Sequence, residues 1–220
     1  MTRNKHRWPQ GYNKDFYVRY AKQKGYVSRA AFKLLEINEK YKLFKPGMSV
    51  VDLGAAPGGW FQVVENLVGP HGFVVAVDLT PINPILKGEF IQGDLNKTTT
   101  FRQLSALIYK KVRGGLVNFV ISDMAPNISG IKDSDQSKAL RLAELAWNRA
   151  RIFLRIGGGF LVKLFQSPNV SIFLINLRPY FRRSRILKPH ASHARSSEIY
   201  ILATEFLGYN QKVYNKEGIS

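Results

Sequence analysis

The sequence predicts an α/β fold with a mostly parallel sheet, and three observations support this. From residue 49 onwards, continuous runs of Val, Ile and Leu alternate with segments of helical period, a pattern typical of parallel strands buried on both faces. The first strand runs directly into a glycine-rich turn in VVDLGAAPGGW, residues 50–60, as at the ligand-binding edge of doubly wound sheets. The last two strand-like segments are joined by a short loop, so we expect them to pair antiparallel at the sheet edge.

The predicted elements follow one another closely along the chain. The first helix covers residues 28–43, where apolar residues share one face, Ser28 is placed to cap the amino end and Lys33 lies at the rim of the apolar stripe. Strands are predicted at SVVDLG, FVVAVDL, EFIQGD, VNFVISDM, GGFLVKLF, FRRSRILKP and SEIYILATEF. The other helices are predicted over about residues 58–68, 101–111, 134–156 and 169–180, the third ending at a run of three glycines.

One domain accounts for most of the chain. A length of 220 residues with 45% hydrophobic content suits one well-packed domain and is short for two. We assign this domain to residues 28–208, with a basic aromatic arm at 1–27 and a tail at 209–220. No amphipathic helix is left over for pairing, so we expect a monomer.

The charge balance favours a polyanionic partner. The chain has 33 Lys and Arg against 15 Asp and Glu, a formal net charge of +18, which points to nucleic acid. An anionic membrane surface is the alternative, but no apolar run of 18 residues is present. The absence of cysteine excludes disulfides and fits a cytoplasmic location, and only four histidines are present, so we expect no metal site.

Two basic segments are the expected contacts with RNA. Nine Lys or Arg and one acid lie between Met1 and Lys33, interleaved with aromatic residues, which supplies charge for phosphates and rings for bases. Residues 178–195 carry six Arg or Lys and no acid, and we expect them to line the same rim. The alternatives are a solvated tail whose rings pack on the domain and, for the second segment, charge that only promotes solubility. The predicted contacts are Arg3, Lys5, Arg7, Lys14, Arg19, Arg29, Arg182, Arg183, Arg185, Lys188 and Arg195.

Acidic residues stand at the ends of four predicted strands, where ligands of such folds bind. Asp52 and Asp123 belong to the first and fourth strands. Asp78, on the second strand, is placed to accept the ribose hydroxyls of an adenosine, and Asp94, after the third, to accept the adenine amino group. The acids therefore predict a nucleoside site at this edge.

The glycine-rich turn helps to distinguish between adenosine-containing ligands. Its order is Gly-Ala-Ala-Pro-Gly-Gly from Gly54, where a dinucleotide fingerprint requires G-x-G-x-x-G. Ala56 and Pro57 do not suit a pyrophosphate, which disfavours a nicotinamide-dependent oxidoreductase. An adenosine joined to an amino acid, as in S-adenosylmethionine, fits better.

The motifs DLGAAPGGW, SDMAPN, VKLFQ and SSEIY, in this order and spacing, resemble those of the FtsJ-like family of RNA 2′-O-ribose methyltransferases. The resemblance extends from about Tyr12 to Thr204 and is strongest to bacterial members that methylate a uridine ribose in large-subunit ribosomal RNA. It implies a Rossmann-like class I methyltransferase fold, S-adenosyl-L-methionine as methyl donor, and ribosomal RNA within the assembled large subunit as partner. The alternatives are a transfer RNA anticodon-loop methyltransferase and a ribosome-assembly factor that binds RNA without turnover.

The resemblance also implies the roles of individual residues. The family's catalytic tetrad falls on Lys33, Asp123, Lys163 and Glu198. The cofactor contacts fall on Gly58, Trp60, Asp78, Asp94 and Asp123, with Gly54 shaping the loop. His193 stands where the bacterial pattern usually has arginine, which predicts RNA binding that weakens when the histidine loses its charge.

Lys163 is the residue that we expect to accept the proton of the ribose hydroxyl. The donor already carries an activated methyl group, so the protein must align the reactants and remove one proton. A lysine amine is ordinarily protonated at neutral pH, and this role therefore requires surroundings that favour the neutral form. Burial, Lys33 and the donor's sulfonium act in that direction, whereas Asp123 and Glu198 act against it and are expected to orient the amines.

Overall fold

A computed structural model describes residues 14–82, 88–192 and 196–208, with side-chain surroundings from residue 17 onwards. Outside these limits lie the predicted contacts Arg3, Lys5, Arg7, Lys14 (its side chain) and Arg195, together with His193 and the 209–220 tail. What the sequence predicts for them stays a prediction.

Seven strands form one sheet in the order β3-β2-β1-β4-β5-β7-β6. The strands are β1 Ser49–Leu53, β2 Phe73–Asp78, β3 Glu89–Gln92, β4 Val117–Ser122, β5 Leu154–Phe165, β6 Phe181–Leu187 and β7 Glu198–Phe206. Strands β1 to β5 pair parallel with one another, whereas β7 is antiparallel to both β5 and β6. The predicted mostly parallel sheet with an antiparallel last strand is confirmed, and β7 lies between β5 and the edge strand β6.

Helices cover both faces of this sheet. They are α1 Lys14–Gln23, α2 Ala30–Tyr41, α3 Gly59–Val68, α4 Thr98–Lys111, α5 Lys132–Phe153 and α6 Asn169–Leu177. Helices α2 and α3 pack on one face, through residues such as Leu34 and Phe61, and α4, α5 and α6 pack on the other, through residues such as Leu104 and Phe173. Every residue of β1 is buried, which explains why the apolar runs are continuous instead of alternating.

Helix α2 begins two residues later than predicted, and Ser28 does not cap it. Arg29 occupies the N-cap position and makes no capping side-chain hydrogen bond. The Ser28 hydroxyl packs instead against Gly59 at the start of α3, where a β-carbon would lie 2.2 Å from the hydroxyl oxygen. The close approach of the two helix starts therefore overrides the capping preference.

Helix α1 lies within the predicted arm, and its aromatic residues pack on the domain. The ring of Phe32 in α2 is surrounded by those of Tyr17, Tyr20 and Tyr26, with centroid distances of 5.9, 5.1 and 5.6 Å. These rings belong to a small apolar cluster. For these three tyrosines the alternative interpretation, packing on the domain, is the correct one.

The predicted helix over residues 134–156 is too long, because α5 ends at Phe153 and β5 begins at once with Leu154. Val117 of β4 pairs with Leu154 of β5, and the next pair is Phe119 with Gly159. One residue of β4 therefore lies opposite four residues of β5, so β5 contains a bulge. Arg155 and Ile156 lie in this bulge and are exposed. Pairing with β4 therefore decides the boundary, and the glycines expected to stop the helix lie inside the strand. Helix α6 likewise ends earlier than predicted, and residues 178–180 form a 3-10 turn.

Candidate functional site

A cleft of about 430 Å³ opens at the carboxyl ends of the parallel strands, the edge at which open α/β sheets bind ligands. Its volume lies within the roughly 300–1,000 Å³ usual for small-molecule sites. Five of the predicted site residues line it, namely Gly54, Asp78, Asp94, Asp123 and Lys163. The structure thus brings strand ends that are far apart in sequence to one cavity.

Asp78 and Asp94 shape one half of the cleft by accepting hydrogen bonds from main-chain amides. Asp78 accepts from Ala56, in the glycine-rich turn, at 2.9 Å and from Thr80 at 2.8 Å. Asp94 accepts from the amide of Asn96 at 2.9 Å. A carboxylate offers about four lone-pair sites, so both side chains retain capacity for ligand hydroxyl or amino groups.

Position 54 requires glycine for two reasons, its backbone conformation and the close approach of Met124. Its φ of 76° lies in the left-handed region. A β-carbon at this position would lie 2.1 Å from Cγ of Met124, which also lines the cleft. The turn therefore passes close to the loop after β4 and forms one wall of the cavity.

Gly58 and Trp60 are not among the cleft-lining residues. Gly58, with φ 106°, precedes helix α3. The Trp60 indole donates to the carbonyl of Ala30 at 2.9 Å, and its ring packs against Tyr200 with centroids 5.5 Å apart. Both residues help to place α3, and the cofactor contacts predicted for them stay predictions.

The four tetrad residues form two ion pairs. Lys33 Nζ lies 2.7 and 2.8 Å from the two carboxylate oxygens of Glu198. Lys163 Nζ lies 3.0 Å from Asp123 Oδ1 and also donates to the main-chain carbonyl of Asp123. The lysine side chains are only 9% and 8% exposed, so Lys33 points inward from the rim position that the helical period predicts.

The surroundings of Glu198 favour its charged form. Burial opposes ionisation of Glu198, but Lys33, with support from Lys163 and Ser192, holds the pKa of Glu198 below its usual range. Glu198 is therefore an anion in its pair with Lys33.

Tyr200 joins the two ion pairs and is not among the residues predicted for the site. Its hydroxyl lies 3.1 Å from Asp123 Oδ1 and 3.0 Å from Glu198 Oε1. The side chain is fully buried, and burial, reinforced by both carboxylates, raises the pKa of Tyr200 well above its usual value. The hydroxyl therefore keeps its proton and donates it. The sequence signal that could have identified Tyr200 is its position two residues after Glu198, because this spacing places both side chains on one face of β7.

Glu36, on helix α2, holds the loop that supports Glu198. Its carboxylate oxygens accept hydrogen bonds from the amides of His190 and Ala191 at 2.9 and 3.1 Å. The next residue, Ser192, donates its hydroxyl to Glu198 Oε1 at 2.8 Å. Helix α2 therefore positions Glu198 twice, directly through its lysine and indirectly through this loop.

Asp52, two residues before Gly54, is buried without a partner. It is 0% exposed, and neither carboxylate oxygen has a hydrogen-bond partner among the described residues. Burial, followed by the charges of Asp123 and Asp78, raises the pKa of Asp52 well above its usual value. These surroundings favour the protonated acid.

Four predicted RNA contacts lie on different elements. Arg19 is exposed on α1, and Arg29 is half-buried at the start of α2. Lys188 is exposed just after β6 at the carboxyl edge. Arg185 lies along β6 with its guanidinium 5.2 Å from the ring centroid of Tyr41. Binding of RNA by these residues stays a prediction.

Arg182 and Arg183 lie at the other end of the sheet, and both pair with Glu205 at distances of 3.7 and 3.1 Å. Strand β6 runs in the same direction as β1, so its first residues lie at the amino ends of the parallel strands. The prediction that residues 178–195 line the rim beside Glu198 is therefore wrong for these two arginines and for Arg178, which lies in the turn before β6.

Within the described ranges, no group of three or more His, Asp or Glu side chains is arranged to hold a metal ion. No helix in those ranges is long and apolar enough to cross a membrane.

The chain is similar to known proteins over nearly its whole length. The model of the FtsJ-like methyltransferase family matches residues 26–206. "Ribosomal RNA large subunit methyltransferase E" of Coxiella burnetii (strain CbuK_Q154) is 62% identical over 213 residues, which cover 97% of this chain and 100% of that protein. The protein of the same name from Francisella tularensis subsp. tularensis (strain WY96-3418) is 45% identical, covering 92% of this chain and 96% of its own. A crystal structure described as a ribosomal RNA methyltransferase from Plasmodium falciparum matches with a TM-score of 0.73 and 27% identity, over 84% of this chain and 100% of that one.

Proposed function

Because the chain belongs to the FtsJ-like methyltransferase family, we propose that it transfers a methyl group from S-adenosylmethionine to the 2′-hydroxyl of a uridine ribose in 23S ribosomal RNA. The observation that carries this proposal is the joining of two lysine–carboxylate pairs, each with a buried lysine, by the Tyr200 hydroxyl. One of these pairs, Lys163 with Asp123, lines the ligand cleft. In this proposal the ribose hydroxyl binds beside the Lys163 amine, which its carboxylate orients.

The residues of the cleft fit the methyl donor. Asp78, at the end of β2, is placed to accept the ribose hydroxyls of its adenosine, and Asp94 to accept the adenine amino group. Gly54 leaves the turn open to a closely approaching ligand. When bound, the donor supplies an activated methyl group on a cationic sulfonium, and that charge also disfavours the protonated form of a neighbouring lysine.

Lys163 accepts the proton in this mechanism as the neutral amine, so its ammonium group first releases a proton to solvent. Asp123 binds this amine in two directions, through its side chain and its main-chain carbonyl. These two contacts fix the direction in which the amine can accept a proton. Orientation of this kind is a large part of what positioned groups contribute to rate. Glu198 and Lys33 form the supporting pair, which fixes Tyr200 and through it Asp123.

Ribosomal RNA is the substrate class that the relatives support, since two of them are named as large-subunit ribosomal RNA methyltransferases. A formal net charge of +18 suits a polyanionic substrate of this kind. The assembled large subunit as partner, a cytoplasmic location and a monomeric state belong to the same proposal.

Labelled S-adenosylmethionine, offered with large ribosomal subunits, naked 23S ribosomal RNA and transfer RNA in parallel, tests the reaction and the substrate together. We expect label in large-subunit RNA, at a nucleotide whose 3′ linkage becomes resistant to alkaline cleavage. Label in transfer RNA alone would overturn the ribosomal assignment. Absence of label on every substrate, with donor binding intact, would favour an assembly factor that binds without turnover.

Two substitutions of Lys163 test its role as proton acceptor. Lys163→Arg keeps a cation beside Asp123 but does not release its proton near neutral pH, and Lys163→Ala removes the group. We expect both variants to bind the donor and to lose about 100-fold or more in kcat. Lys45→Ala, at an exposed lysine before β1, is the matched control. Undiminished transfer by Lys163→Arg would refute the role.

A further inference from the structure

A second basic surface lies at the end of the sheet opposite the cleft. Helix α4 runs antiparallel to the strands, and the ion pair of Lys111 with Glu89 at 3.0 Å fixes its last turn beside the first residue of β3. The bulge of β5 and the turn before β6 lie at this same end. We define the amino-end surface as Tyr109, Lys110, Arg113, Arg155, Ile156 and Arg178.

Contacts between elements make this surface continuous. Val117 pairs with Leu154, so the turn that carries Arg113 adjoins the start of β5 and its bulge. On the other side of the bulge, a β-carbon on Gly208 would lie 3.6 Å from Ile156. The neighbouring residue 207 donates its amide to the carbonyl of residue 180 at 2.8 Å, which brings the Arg178 turn alongside.

The cations of the amino-end surface are not neutralised. All four are exposed, and none of them takes part in an ion pair with another described residue. Two acids at this end, Glu89 and Glu205, are already paired, the first with Lys111 and the second with the two arginines that begin β6. The surface therefore presents uncompensated positive charge, which attracts a polyanion.

Large uncharged side chains stand exposed among these cations. Tyr109 is 80% exposed and Ile156 is 75% exposed. The Tyr109 ring lies against the main chain at Gly115, where a β-carbon would come within 3.1 Å of the ring, so its edge is supported while most of the ring faces solvent. A flat ring on the same surface as Lys110 and Arg113 is the combination by which proteins bind unpaired nucleotides.

We propose that the amino-end surface binds a second RNA segment of the ribosomal particle, with its cations on phosphates and Tyr109 stacked on an unpaired base. The inference rests on the proposed function, because it takes ribosomal RNA as the substrate. Strand β4 has six residues, and at about 3.3 Å per residue it separates the two ends of the sheet by roughly 20 Å. The second segment is therefore distinct from the nucleotide being methylated and its neighbours. An enzyme that contacts two segments at this separation prefers a folded large subunit to short RNA with the same target.

Affinity for large subunits, measured with fluorescently labelled full-length protein at several salt concentrations, tests this surface. We expect Lys110→Gln/Arg113→Gln to weaken binding and to lower the slope of log affinity against log salt by about 1.4–1.8, the loss of two phosphate contacts. Arg102→Gln/Arg141→Gln removes the same charge from α4 and α5 at positions away from this end, and should change neither quantity measurably. The kcat at saturating subunit concentration should be unchanged in both.

Tyrosine variants test the stacked base. Tyr109→Ala is expected to weaken binding about fivefold or more, the equivalent of one lost stacking contact. Tyr109→Phe keeps the ring and should bind like the wild type. Unchanged affinity of Tyr109→Ala would overturn the proposal, as would equal losses in the two double variants, which would show that only net charge matters.

Photocrosslinking from position 109 identifies the partner directly. A crosslink to ribosomal RNA supports the proposal, and a crosslink to a ribosomal protein alone overturns it. Failure of the proposed function is distinguishable, because a protein that binds subunits through Tyr109 but transfers no methyl group refutes only the activity. A protein that methylates subunits with an unchanged KM in every amino-end variant refutes only the surface.

Discussion

Replacing Tyr200 by phenylalanine removes one hydroxyl from the centre of the tetrad while keeping the shape of the ring. In the native protein Asp123 and Glu198 share that hydroxyl at 3.1 and 3.0 Å. Both carboxylates keep their lysine partners in the variant, so no buried charge is left unpaired. The ring still packs against Trp60. The substitution therefore isolates the link between the two ion pairs.

We expect Tyr200→Phe to lower the free energy of unfolding by about 2 kcal/mol. A hydrogen bond to a charged group contributes about 1.5–3 kcal/mol net. The hydroxyl has one hydrogen to give to two acceptors, so the two contacts count as one. For a chain of 220 residues, this corresponds to a fall in Tm of roughly 4–8 °C.

The same substitution should lower kcat about tenfold or more, with little change in the KM for the donor. The hydroxyl fixes Asp123 relative to Glu198, and Asp123 in turn orients the amine of Lys163. A small displacement of that amine costs rate and leaves donor binding in place, because catalysis depends on alignment more steeply than binding does.

Urea denaturation followed by tryptophan fluorescence, together with single-turnover methyl transfer, measures both effects. Tyr109→Phe is the matched control, since it removes the same atom from a side chain that is 80% exposed. Equal denaturation midpoints for the two variants and an unchanged kcat for Tyr200→Phe would refute the linking role.

Three further substitutions test other parts of the site. Asp52→Asn addresses the buried acid: because its folded-state pKa is raised, the native protein retains a proton that the unfolded chain releases. The free energy of unfolding of the native protein should therefore fall as pH rises above the ordinary aspartate range, by up to about 1.4 kcal/mol per pH unit. Urea denaturation at about pH 5 to 8 measures this decline, which the Asp52→Asn variant should lack. Glu36→Gln deprives one loop amide of its acceptor and should lower kcat without changing donor affinity by calorimetry. Glu144→Gln, at an exposed glutamate of α5, is the control and should leave kcat unchanged. Gly54→Ala places a β-carbon 2.1 Å from Met124 at a φ of 76° and should abolish donor binding in equilibrium dialysis.

The parallel part of the sheet and the half of the cleft that contains Asp78 and Asp94 could be predicted because their signals are local. A buried strand is a continuous apolar run, and the carboxyl ends of parallel strands meet at one edge. Asp78 and Asp94 could therefore be placed together from their positions just after such runs, and the cleft contains both. The glycine-rich turn could be predicted for the same reason, since Gly54 has a backbone conformation that other residues avoid.

Features that depend on distant pairing could not be predicted in this way. Lys33 and Glu198 are 165 residues apart, and helical period places the lysine at a rim, whereas its partner draws it inward. Strand direction decides where Arg182 and Arg183 lie, and their charge carries no information about direction. The position of Arg155 in a strand bulge could not be predicted, because the three glycines after it are typical of a helix end as well as of a bulge.

The proposed function requires the cleft to accept a cationic donor and a polyanionic RNA side by side, and its charges are arranged to suit both. On the donor side, Asp78 and Asp94 line the cavity, and neither has an ion-pair partner among the described residues, so negative charge faces a cationic donor. On the acceptor side, each carboxylate has a lysine within 3.0 Å. The two pairs therefore carry no net negative charge at the edge where we propose that the RNA binds, and removal of either lysine would leave a largely buried carboxylate uncompensated, at a cost of up to about 3–5 kcal/mol. Under the proposed function, in a chain with a formal charge of +18, local pairing keeps these carboxylates from repelling the RNA, and the acids that remain unpaired favour a cationic donor.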